Sequence, residues 1–299
     1  MSLLVVGTTA LDSIKTPYAE NPRLLGGSAS HAAVAASFFA PTHLVGAVGE
    51  DFPRKYINLY RRHGLCLEGL DQLPGQTFHW SGEYEVNMNN RRTLDTVLGV
   101  IENYSPTLPA AYTRLPYVLL ANIAPDLQGH VLDQMKRPKF IVADTMDLWL
   151  NIARPAVLKL LKRIDCLVLN DSEAAQLVEE DNVVAALPRI HKLGPKYVIV
   201  KKGEHGAILS GPKGLFVAPA YPLKKVVDPT GAGDSFVGGL MGYLASQKGS
   251  LDKNLRAAII YGTVTASYCC EDFGLKKTTK VKKTDISKRV RELTKMVSW

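Results

Sequence analysis

Apolar runs alternate with helical patterns along most of this 299-residue chain. Strands buried on both faces of a parallel sheet are continuously apolar rather than alternating. Six short runs have that character, at residues 3–7, 42–49, 117–122, 139–144, 166–170 and 197–203. Segments with helical spacing lie between them, at residues 28–40, 126–136, 155–163 and 172–193. This βαβα order predicts a doubly wound, mostly parallel sheet between helices, in a single α/β domain spanning residues 1–299.

A second pattern interrupts the first over residues 78–88, where apolar and polar side chains alternate. A period of two predicts a half-exposed strand. The pair Asn89-Asn90 favours a hairpin turn, and the alternation resumes over residues 94–100. We therefore expect a small antiparallel sheet inserted into the α/β core. Its apolar face must cover either a partner chain or a cleft that the sheet closes.

The composition is that of a globular protein with a large core, since 46% of residues are apolar and 21% are charged. No run approaches the roughly 18 apolar residues that a membrane span needs. The first residues, MSLLVVGTTALD, predict a buried strand rather than a signal peptide. The cysteines form no C-x-x-C pair, which favours reduced thiols in a cytoplasmic protein over a metal site or disulfides. They are Cys66, Cys166, Cys269 and Cys270.

The net charge of +8 is concentrated at one end of the chain. Residues 276–299 hold nine Lys or Arg and two acids, so the remaining sequence is nearly neutral. Four apolar residues of this segment follow helical spacing after a Thr284 cap: Ile286, Val290, Leu293 and Val297. The pattern predicts a terminal helix with one packed face and a solvated basic face, which we favour over nucleic-acid binding. Attraction of anionic substrates stays open.

The stretch VVDPTGAGDSFVGG, residues 226–239, places a bare glycine turn between two carboxylates at the start of an apolar helix. It lacks the last Gly or Ala of a dinucleotide fingerprint, and the Lys and hydroxyl of a Walker A loop. Val237 stands where a serine-hydrolase elbow has its second Gly. No His follows an Asp by three residues, as in Gly-Asp-Ser lipases, and there is no His-Glu-x-x-His zinc motif.

The backbone of this turn is suited to an anion. Unpaired N–H groups and the dipole at a helix N-terminus attract phosphate, or the charge that develops during phosphoryl transfer. Asp234 beside it could accept a proton from an attacking alcohol, with its pKa held low by the helix N-terminus. An Asp that caps the helix explains Asp234 equally well. Three helix glycines indicate close packing, because each costs up to about 1 kcal/mol against Ala: Gly238, Gly239 and Gly242.

With these residues assembled, the sequence resembles the ribokinase-like (PfkB) family of sugar and nucleoside kinases. Residues 228–234 match the family signature Asp-Thr-x-Gly-Ala-Gly-Asp, departing only at Pro229 in the second place. Four other segments are similar to family motifs: the Gly-Gly signature at residues 26–35, its following strand at 44–51, Asn-x-x-Glu at 170–173 and a Gly-x-x-Gly strand turn at 202–207. The resemblance implies a lid, formed by about residues 11–22 and 76–103, that covers the acceptor and in some members joins a homodimer.

The resemblance also implies a role for individual residues. Asp234 would be the general base on a primary hydroxyl of the acceptor. The anion hole would be formed by Gly231, Ala232 and Gly233. The nucleotide would contact Asn170, Glu173, Lys202, Gly203, Gly206, Thr230 and Gly233. The acceptor would contact Asp12, Gly26, Gly27, Ser28 and His31.

The implied cofactors are ATP and Mg²⁺, with Glu173 holding Mg²⁺ through water. Asp228, with carbonyls near residues 266–271, could hold a monovalent cation such as K⁺. Spacing alone offers other interpretations, because Asn170 and Glu173 are placed as a helix capping box that Ser172 could extend.

Two acceptor positions also have a structural interpretation. Asp12 alone is typical of a turn. His31 stands where many family members carry an Asn that bonds the sugar, and a lone His after a small-residue turn is commonly structural. If His31 does bind substrate, its geometry differs from that of Asn and it can titrate.

The Gly-Gly-Ser start and residues 261–274 look most like nucleoside-kinase-like members, so we expect a nucleoside 5′-hydroxyl as acceptor. Phe78, Trp80 and Tyr84 on one lid face could stack on a base or form a dimer seam. The alternatives are a kinase of a free sugar such as ribose or fructose, and a non-catalytic nucleotide or sugar sensor. Asp234 argues against the sensor. We expect no nucleic-acid or membrane partner.

Overall fold

The computed structural model describes residues 1–88 and 91–298, so the expected Asn89-Asn90 turn lies outside the described residues. The strands are β1 (Leu3–Val6), β2 (Ala10–Thr16), β3 (Ala19–Gly26), β4 (Thr42–Val48), β5 (Cys66–Gln72), β6 (His79–Tyr84), β7 (Arg91–Val97), β8 (Tyr117–Leu120), β9 (Phe140–Asp144), β10 (Cys166–Asn170), β11 (Tyr197–Lys201), β12 (Ala207–Gly211) and β13 (Gly214–Ala218). The helices are α1 (Ser28–Ser37), α2 (Arg54–Arg62), α3 (Pro125–Gln134), α4 (Asp147–Ile152), α5 (Arg154–Leu161), α6 (Asp171–Val178), α7 (Val183–His191), α8 (Ala232–Ser246), α9 (Leu251–Cys269) and α10 (Lys283–Val297).

Nine of the described strands form the main sheet, in the order β13-β12-β11-β10-β9-β8-β1-β4-β5. Neighbours from β11 to β5 pair in parallel, and β12 and β13 add an antiparallel edge. In β1, Leu3 and Val5 belong to one hydrophobic cluster, whereas Leu4 and Val6 belong to another. Both faces of the sheet are therefore covered, which confirms the predicted doubly wound, mostly parallel α/β fold. The edge strands β5 and β13 were missed. Polar residues and a glycine interrupt the apolar pattern of β5, whereas β13 has only the four-residue apolar run LFVA.

The inserted sheet has four strands in the order β3-β2-β6-β7. It is mixed rather than purely antiparallel, because β2 and β6 pair in parallel. The period of two is confirmed in β6, where Trp80 and Tyr84 face the apolar cluster of Ile14 and Phe273 and Glu83 pairs with Lys15. The alternation predicted over residues 94–100 is wrong beyond Val97, since a 3₁₀ turn begins at Gly99.

Two predicted helices have different bounds. Residues 172–193 form α6 and α7 instead of one helix, because Glu179 is left-handed at φ 53° and Asn182 caps α7. The terminal helix α10 begins at Lys283, so Thr284 is not its cap, and Asp285 accepts the Lys282 amide instead. The apolar face of α10 is confirmed by buried Ile286 and Leu293, whereas Val297 is exposed.

Helix α8 packs against its neighbours through glycine. A Cβ on Gly238 or Gly242 would overlap backbone atoms of Ala32 or Ala36 in α1, and a Cβ on Gly239 would meet Thr265 in α9. The prediction of close packing from the three glycines is confirmed. All four cysteines are free. None of the described helices is long and apolar enough to cross a membrane.

Replacing Gly242 by Ala tests this packing. The new methyl group would enter the Ala36 backbone, so we expect Gly242→Ala to lower the free energy of unfolding by about 1–3 kcal/mol, despite the better helix propensity of Ala. Gly129→Ala in α3 is the matched control, because its nearest neighbour, a side-chain nitrogen of Arg163, lies 3.7 Å from the added Cβ. Urea denaturation should show this control unchanged or stabilised. Equal effects at both positions would contradict the packing argument.

Candidate active site

The candidate site lies at the carboxyl edge of the main sheet. β9 ends at Asp144, β10 at Asn170 and β11 at Lys201, and these three strands are neighbours. Carboxyl ends of parallel strands meet at one edge of an open α/β sheet, where crevices for ligands form. The N-terminus of α8 and the four-stranded lid approach the same edge, because Thr230 donates its hydroxyl proton to the Tyr84 hydroxyl of the lid at 3.1 Å.

The glycine turn begins α8 earlier than its sequence indicates. Gly231 is the N-cap residue, with φ 77°, and Asp234 occupies the third helical position rather than the cap. The Ala232 amide donates to the Pro229 carbonyl at 3.1 Å, so it is not a free donor. Across residues 1–88 and 91–298, the structure gives no hydrogen-bond acceptor for the amides of Gly231 and Gly233. Two of the three expected anion-hole amides therefore remain open.

Asp228 braces the turn from behind. Its carboxylate is fully buried, and it accepts the Thr230 amide and the Gly274 amide, each at 2.9 Å. The Val227 amide donates to the Cys270 carbonyl at 2.8 Å, which ties the same loop to the end of α9. These bonds place Asp228 beside the carbonyls expected for a cation site. The same bonds give Asp228 a structural role, because they hold the loop that precedes the Gly231 turn.

His31 lies directly beneath the turn. Its ring occupies the position that a Cβ on Gly231 would take, so this backbone approach requires glycine. Burial lowers the pKa of His31 to about 4, which leaves the ring neutral at physiological pH. Its Nδ1 lies 3.7 Å from the Cys269 thiol, and its buried Nε2 has no partner among the described residues. His31 therefore supports the turn with one face and offers one unsatisfied polar atom.

Asp12 projects from β2 against the two glycines that precede α1. A Cβ on Gly26 would overlap the Asp12 carboxylate, and the Gly27 amide donates to that carboxylate at 3.3 Å. Burial raises the pKa of Asp12 to about 7, and the nearby Asp228 and Asp234 raise it further against the Gly27 hydrogen bond. The coupling places Asp12 and Asp234 in one region of the site.

The Ser28 hydroxyl is used in hydrogen bonds within the fold. Its hydroxyl donates to the Asn122 carbonyl at 2.7 Å, and it exchanges hydrogen bonds with Thr8 at the end of β1. The residue is 5% exposed. Ser28 therefore joins α1 to the ends of β1 and β8 rather than presenting a free hydroxyl.

Asp234 is half-buried, and its pKa is raised rather than lowered. Burial is the main cause, while Lys201 and Arg91 act in the opposite direction. The expectation that the helix N-terminus would hold this pKa low is therefore wrong, because desolvation outweighs the attraction of the helix dipole. A carboxylate with a raised pKa is a better proton acceptor near neutral pH than an ordinary Asp.

Asn170 and Glu173 form the capping box that their spacing allows. Asn170 accepts the Glu173 amide and Glu173 accepts the Asn170 amide, both at 2.7 Å, and the Ser172 hydroxyl donates to Asn170 at 2.7 Å. Glu173 is 5% exposed, and burial raises its pKa to about 7 against the effect of Lys201. One of its oxygens holds the cap, and the other is available to a water or a ligand.

No cluster of three metal-binding side chains occurs among the described residues. This donor set fits Mg²⁺ that arrives with a phosphate ligand, because Mg²⁺ keeps several waters and needs only one or two carboxylates. Glu173 is suited to such contact through water.

Lys202, Gly203 and Gly206 lie in the turn after β11. Lys202 lines an open depression beside Asp171 and Ser172 at the start of α6. A Cβ on Gly206 would overlap the Ala218 carbonyl, whereas Gly203 has open space and needs glycine only for its φ of 52°. Of the expected nucleotide residues, Lys202 therefore lies beside the start of α6, where Asn170 and Glu173 form the capping box.

Lys201 and Asp144 are site residues that no sequence motif indicated. The Lys201 ammonium donates to both oxygens of the Asp144 carboxylate, at 3.0 and 3.1 Å. It also lies 3.1 Å from the position of a Cβ on Gly233. Each of the two apolar runs KFIVAD and YVIVK ends in a charged residue. Because both runs are expected to end at the same edge of the sheet, this pattern could have identified the pair.

Comparisons with known proteins agree with this geometry. A model of the pfkB family carbohydrate kinases matches residues 20–281. The cytidine kinase of Thermococcus kodakarensis is 28% identical over 252 residues, covering 81% of this chain and 88% of that protein. A ribokinase of Lactococcus lactis is 24% identical, with 86% and 84% covered.

Solved structures show the same fold at lower identity. The Methanocaldococcus jannaschii nucleoside kinase superposes with a TM-score of 0.79 at 19% identity, covering 97% of this chain and 98% of that one. The Arabidopsis thaliana ribokinase complexed with ribose and ATP gives 0.77 at 21% identity, with 97% and 98% covered. Because the family model spans most of the chain and the glycine turn, lid and sheet are all in place, this protein belongs to the pfkB family of carbohydrate kinases.

Proposed function

We propose that this protein is an ATP- and Mg²⁺-dependent kinase that phosphorylates the 5′-hydroxyl of a nucleoside. One observation carries the proposal: two amides without a hydrogen-bond acceptor among the described residues, those of Gly231 and Gly233, stand at the N-terminus of α8 beside a half-buried Asp234 that is coupled to Asp12. Phosphoryl transfer needs donors for the charge on the transferred group and an acceptor for the hydroxyl proton.

The reaction follows from these positions. The acceptor oxygen attacks the terminal phosphorus of ATP, the bond from that phosphorus to the ADP oxygen breaks, and Asp234 takes the hydroxyl proton. The Gly231 and Gly233 amides donate to the transferred group, whose charge is greatest in the transition state. The raised pKa of Asp234 makes this carboxylate a stronger base than an exposed Asp.

Glu173 would hold Mg²⁺ through water, and the ion would neutralise charge on the ATP phosphates. Thr230 and the residues along α6 would contact the nucleotide. A monovalent cation such as K⁺ beside Asp228 is a further part of the proposal, supported by the buried carboxylate and the neighbouring Cys270 carbonyl.

The acceptor would lie between Asp12 and the lid. Asp12 would bind sugar hydroxyls there, and Gly26 and Gly27 allow the backbone before α1 to lie directly against the Asp12 carboxylate. Phe78 and Trp80 are both half-buried, so these two lid aromatics keep surface on which a base would stack, and Arg91 lies 6.0 Å from the centre of the Trp80 ring. Tyr84 is 7% exposed and bonded to Thr230, which suits a lid contact better than base stacking.

A nucleoside acceptor is supported by the cytidine kinase relative and by the fold shared with a Burkholderia thailandensis nucleoside kinase in complex with inosine, at a TM-score of 0.75. A free sugar is the second candidate, supported by the ribokinase relatives. The non-catalytic sensor is the third, and Asp234 argues against it.

We further propose that the lid joins two chains in a homodimer. β7 is an edge strand of the lid sheet, and every one of its residues is exposed, including Leu94 and Val97. Light scattering should give the mass of a dimer for the wild type and of a monomer for Leu94→Asp with Val97→Asp, because charges prevent burial of this strand. A monomeric wild type at micromolar concentration would refute the dimer.

Release of ADP with a panel of nucleosides and free sugars tests the function. We expect turnover with a nucleoside such as cytidine or adenosine, and a loss of at least 10³-fold in kcat for Asp234→Asn, because the general base is removed. Asp133→Asn, on the exposed end of α3, is the matched control and should retain wild-type kcat. Preference for ribose or fructose would overturn the nucleoside assignment alone. No turnover with any acceptor would overturn the kinase proposal.

The buried carboxyl group of Asp12 should make the stability of the protein depend on pH. Its folded pKa of about 7 exceeds the ordinary value of 3.8, so the folded state binds more protons between these pH values. Stability of the ligand-free enzyme should therefore fall as pH rises towards 7. Asp12→Asn removes this dependence. The free energy of unfolding of the variant relative to that of the wild type should therefore rise by about 2 kcal/mol between pH 5 and pH 8. The variant should also bind the acceptor less tightly. Urea denaturation at both pH values checks this, and a constant difference would contradict the buried-carboxylate argument.

A further inference from the structure

We infer that Lys201 is a catalytic residue that contacts the transferred phosphoryl group, and that Asp144 is the positioning residue that holds its ammonium in place. The inference rests on the proposed kinase function. It assigns a task to the largely buried ion pair of Lys201 and Asp144, which the roles described above leave unused.

Lys201 lies close to the glycine turn. Its side chain leaves the end of β11 and brings Nζ to 3.1 Å from where a Cβ on Gly233 would lie. Gly233 contributes one of the two open amides of the turn. An anion bound at that amide would therefore have the Lys201 ammonium beside it.

The geometry of the ion pair leaves one Lys201 proton free. Asp144 accepts two of the three ammonium protons of Lys201, at 3.0 and 3.1 Å, and its own carboxylate is oriented by the Thr145 amide at 3.1 Å. The Lys201 side chain is 19% exposed and that of Asp144 is 5% exposed. Within the described residues no acceptor takes the third proton, so the ammonium keeps one donor for a ligand.

Carboxylates dominate the charge around Lys201. Burial lowers the pKa of Lys201, but the carboxylates of Asp144, Glu173 and Asp234 together raise it above its ordinary value, so the side chain stays protonated. These same carboxylates would repel a triphosphate. Arg91 also acts on Glu173 and Asp234, but from the exposed lid. Lys201, whose side chain is 19% exposed, is the cation that offsets this repulsion at the turn.

Lys201 transfers no proton in this scheme. The new bond joins the acceptor oxygen to phosphorus, the bond to ADP breaks and the hydroxyl proton goes to Asp234. The Lys201 ammonium donates to a non-bridging oxygen throughout, and its contribution grows as charge moves onto the transferred group. The contact therefore involves the terminal phosphate, which ATP has and ADP lacks.

Comparison of ATP with ADP tests this contact. We expect Lys201→Met to weaken binding of the β,γ-imido analogue of ATP at least 10-fold, measured by calorimetry without acceptor, and to change ADP binding less than 3-fold. With acceptor, kcat should fall 10²- to 10³-fold. Lys192→Met, on the exposed end of α7, is the matched control and should leave all three values unchanged.

Two further variants separate contact from folding. Lys201→Met leaves Asp144 buried without its partner, which alone destabilises a fold. The double variant Lys201→Met with Asp144→Asn removes both charges, and it should show the same selective loss of the ATP analogue. Asp144→Asn alone should retain ADP affinity, but its kcat should decline at alkaline pH before that of the wild type, because Lys201 loses a nearby negative charge.

An unchanged ratio of ATP-analogue to ADP affinity in the folded double variant, with wild-type kcat, would overturn the assignment of Lys201. Asp234→Asn would then still be inactive, so the kinase function would stand. Conversely, absence of turnover by the wild type with every acceptor would refute the kinase function, whereas the affinity ratio would still decide whether Lys201 contacts the terminal phosphate.

Discussion

The contact of α8 with α1 is the constraint on which the site depends. Glycines at positions 238 and 242 allow the two helix backbones to meet, and this contact fixes where the N-terminus of α8 points. The Gly231 turn then rests on the His31 ring, which is itself part of α1. A side chain at any of these glycines would displace the helix and, with it, the open amides and Asp234. The packing of small residues in the core thus determines the geometry of the chemistry.

The second constraint is electrostatic. Burial raises the pKa values of three carboxyl groups at the site, those of Asp12, Glu173 and Asp234. Such an arrangement costs stability in the free enzyme, and functional sites commonly retain it because binding or catalysis uses the charges. In the proposed reaction the donors are backbone amides and Lys201, which are fixed before substrate arrives. This accords with preorganised stabilisation of a transition state.

Local sequence and tertiary position disagreed at identifiable residues. Asn170 and Glu173 form the capping box that spacing predicts. Glu173 is nevertheless buried, whereas a capping residue at a helix end is ordinarily solvated. The pKa of Asp234 was predicted from the helix dipole alone, and desolvation reverses the sign. Lys202 was selected from the motif, whereas its neighbour Lys201, the last residue of β11, is the lysine that reaches the turn. Lys202 lies beyond the strand and lines the depression beside α6.

The sequence by itself determined the layers of the fold, the lid and the specific turn at residues 228–234. Continuous apolar runs, a period of two and a long motif are local signals. The elements that they predict are found in the structure, with small differences in the residues at which they begin and end. Only the tertiary structure decided which charges face each other. Lys201 and Asp144 are 57 positions apart, and their ion pair exists because β9 and β11 flank β10 in one sheet. Charge interaction and desolvation depend on distance and burial in space, which sequence spacing does not carry.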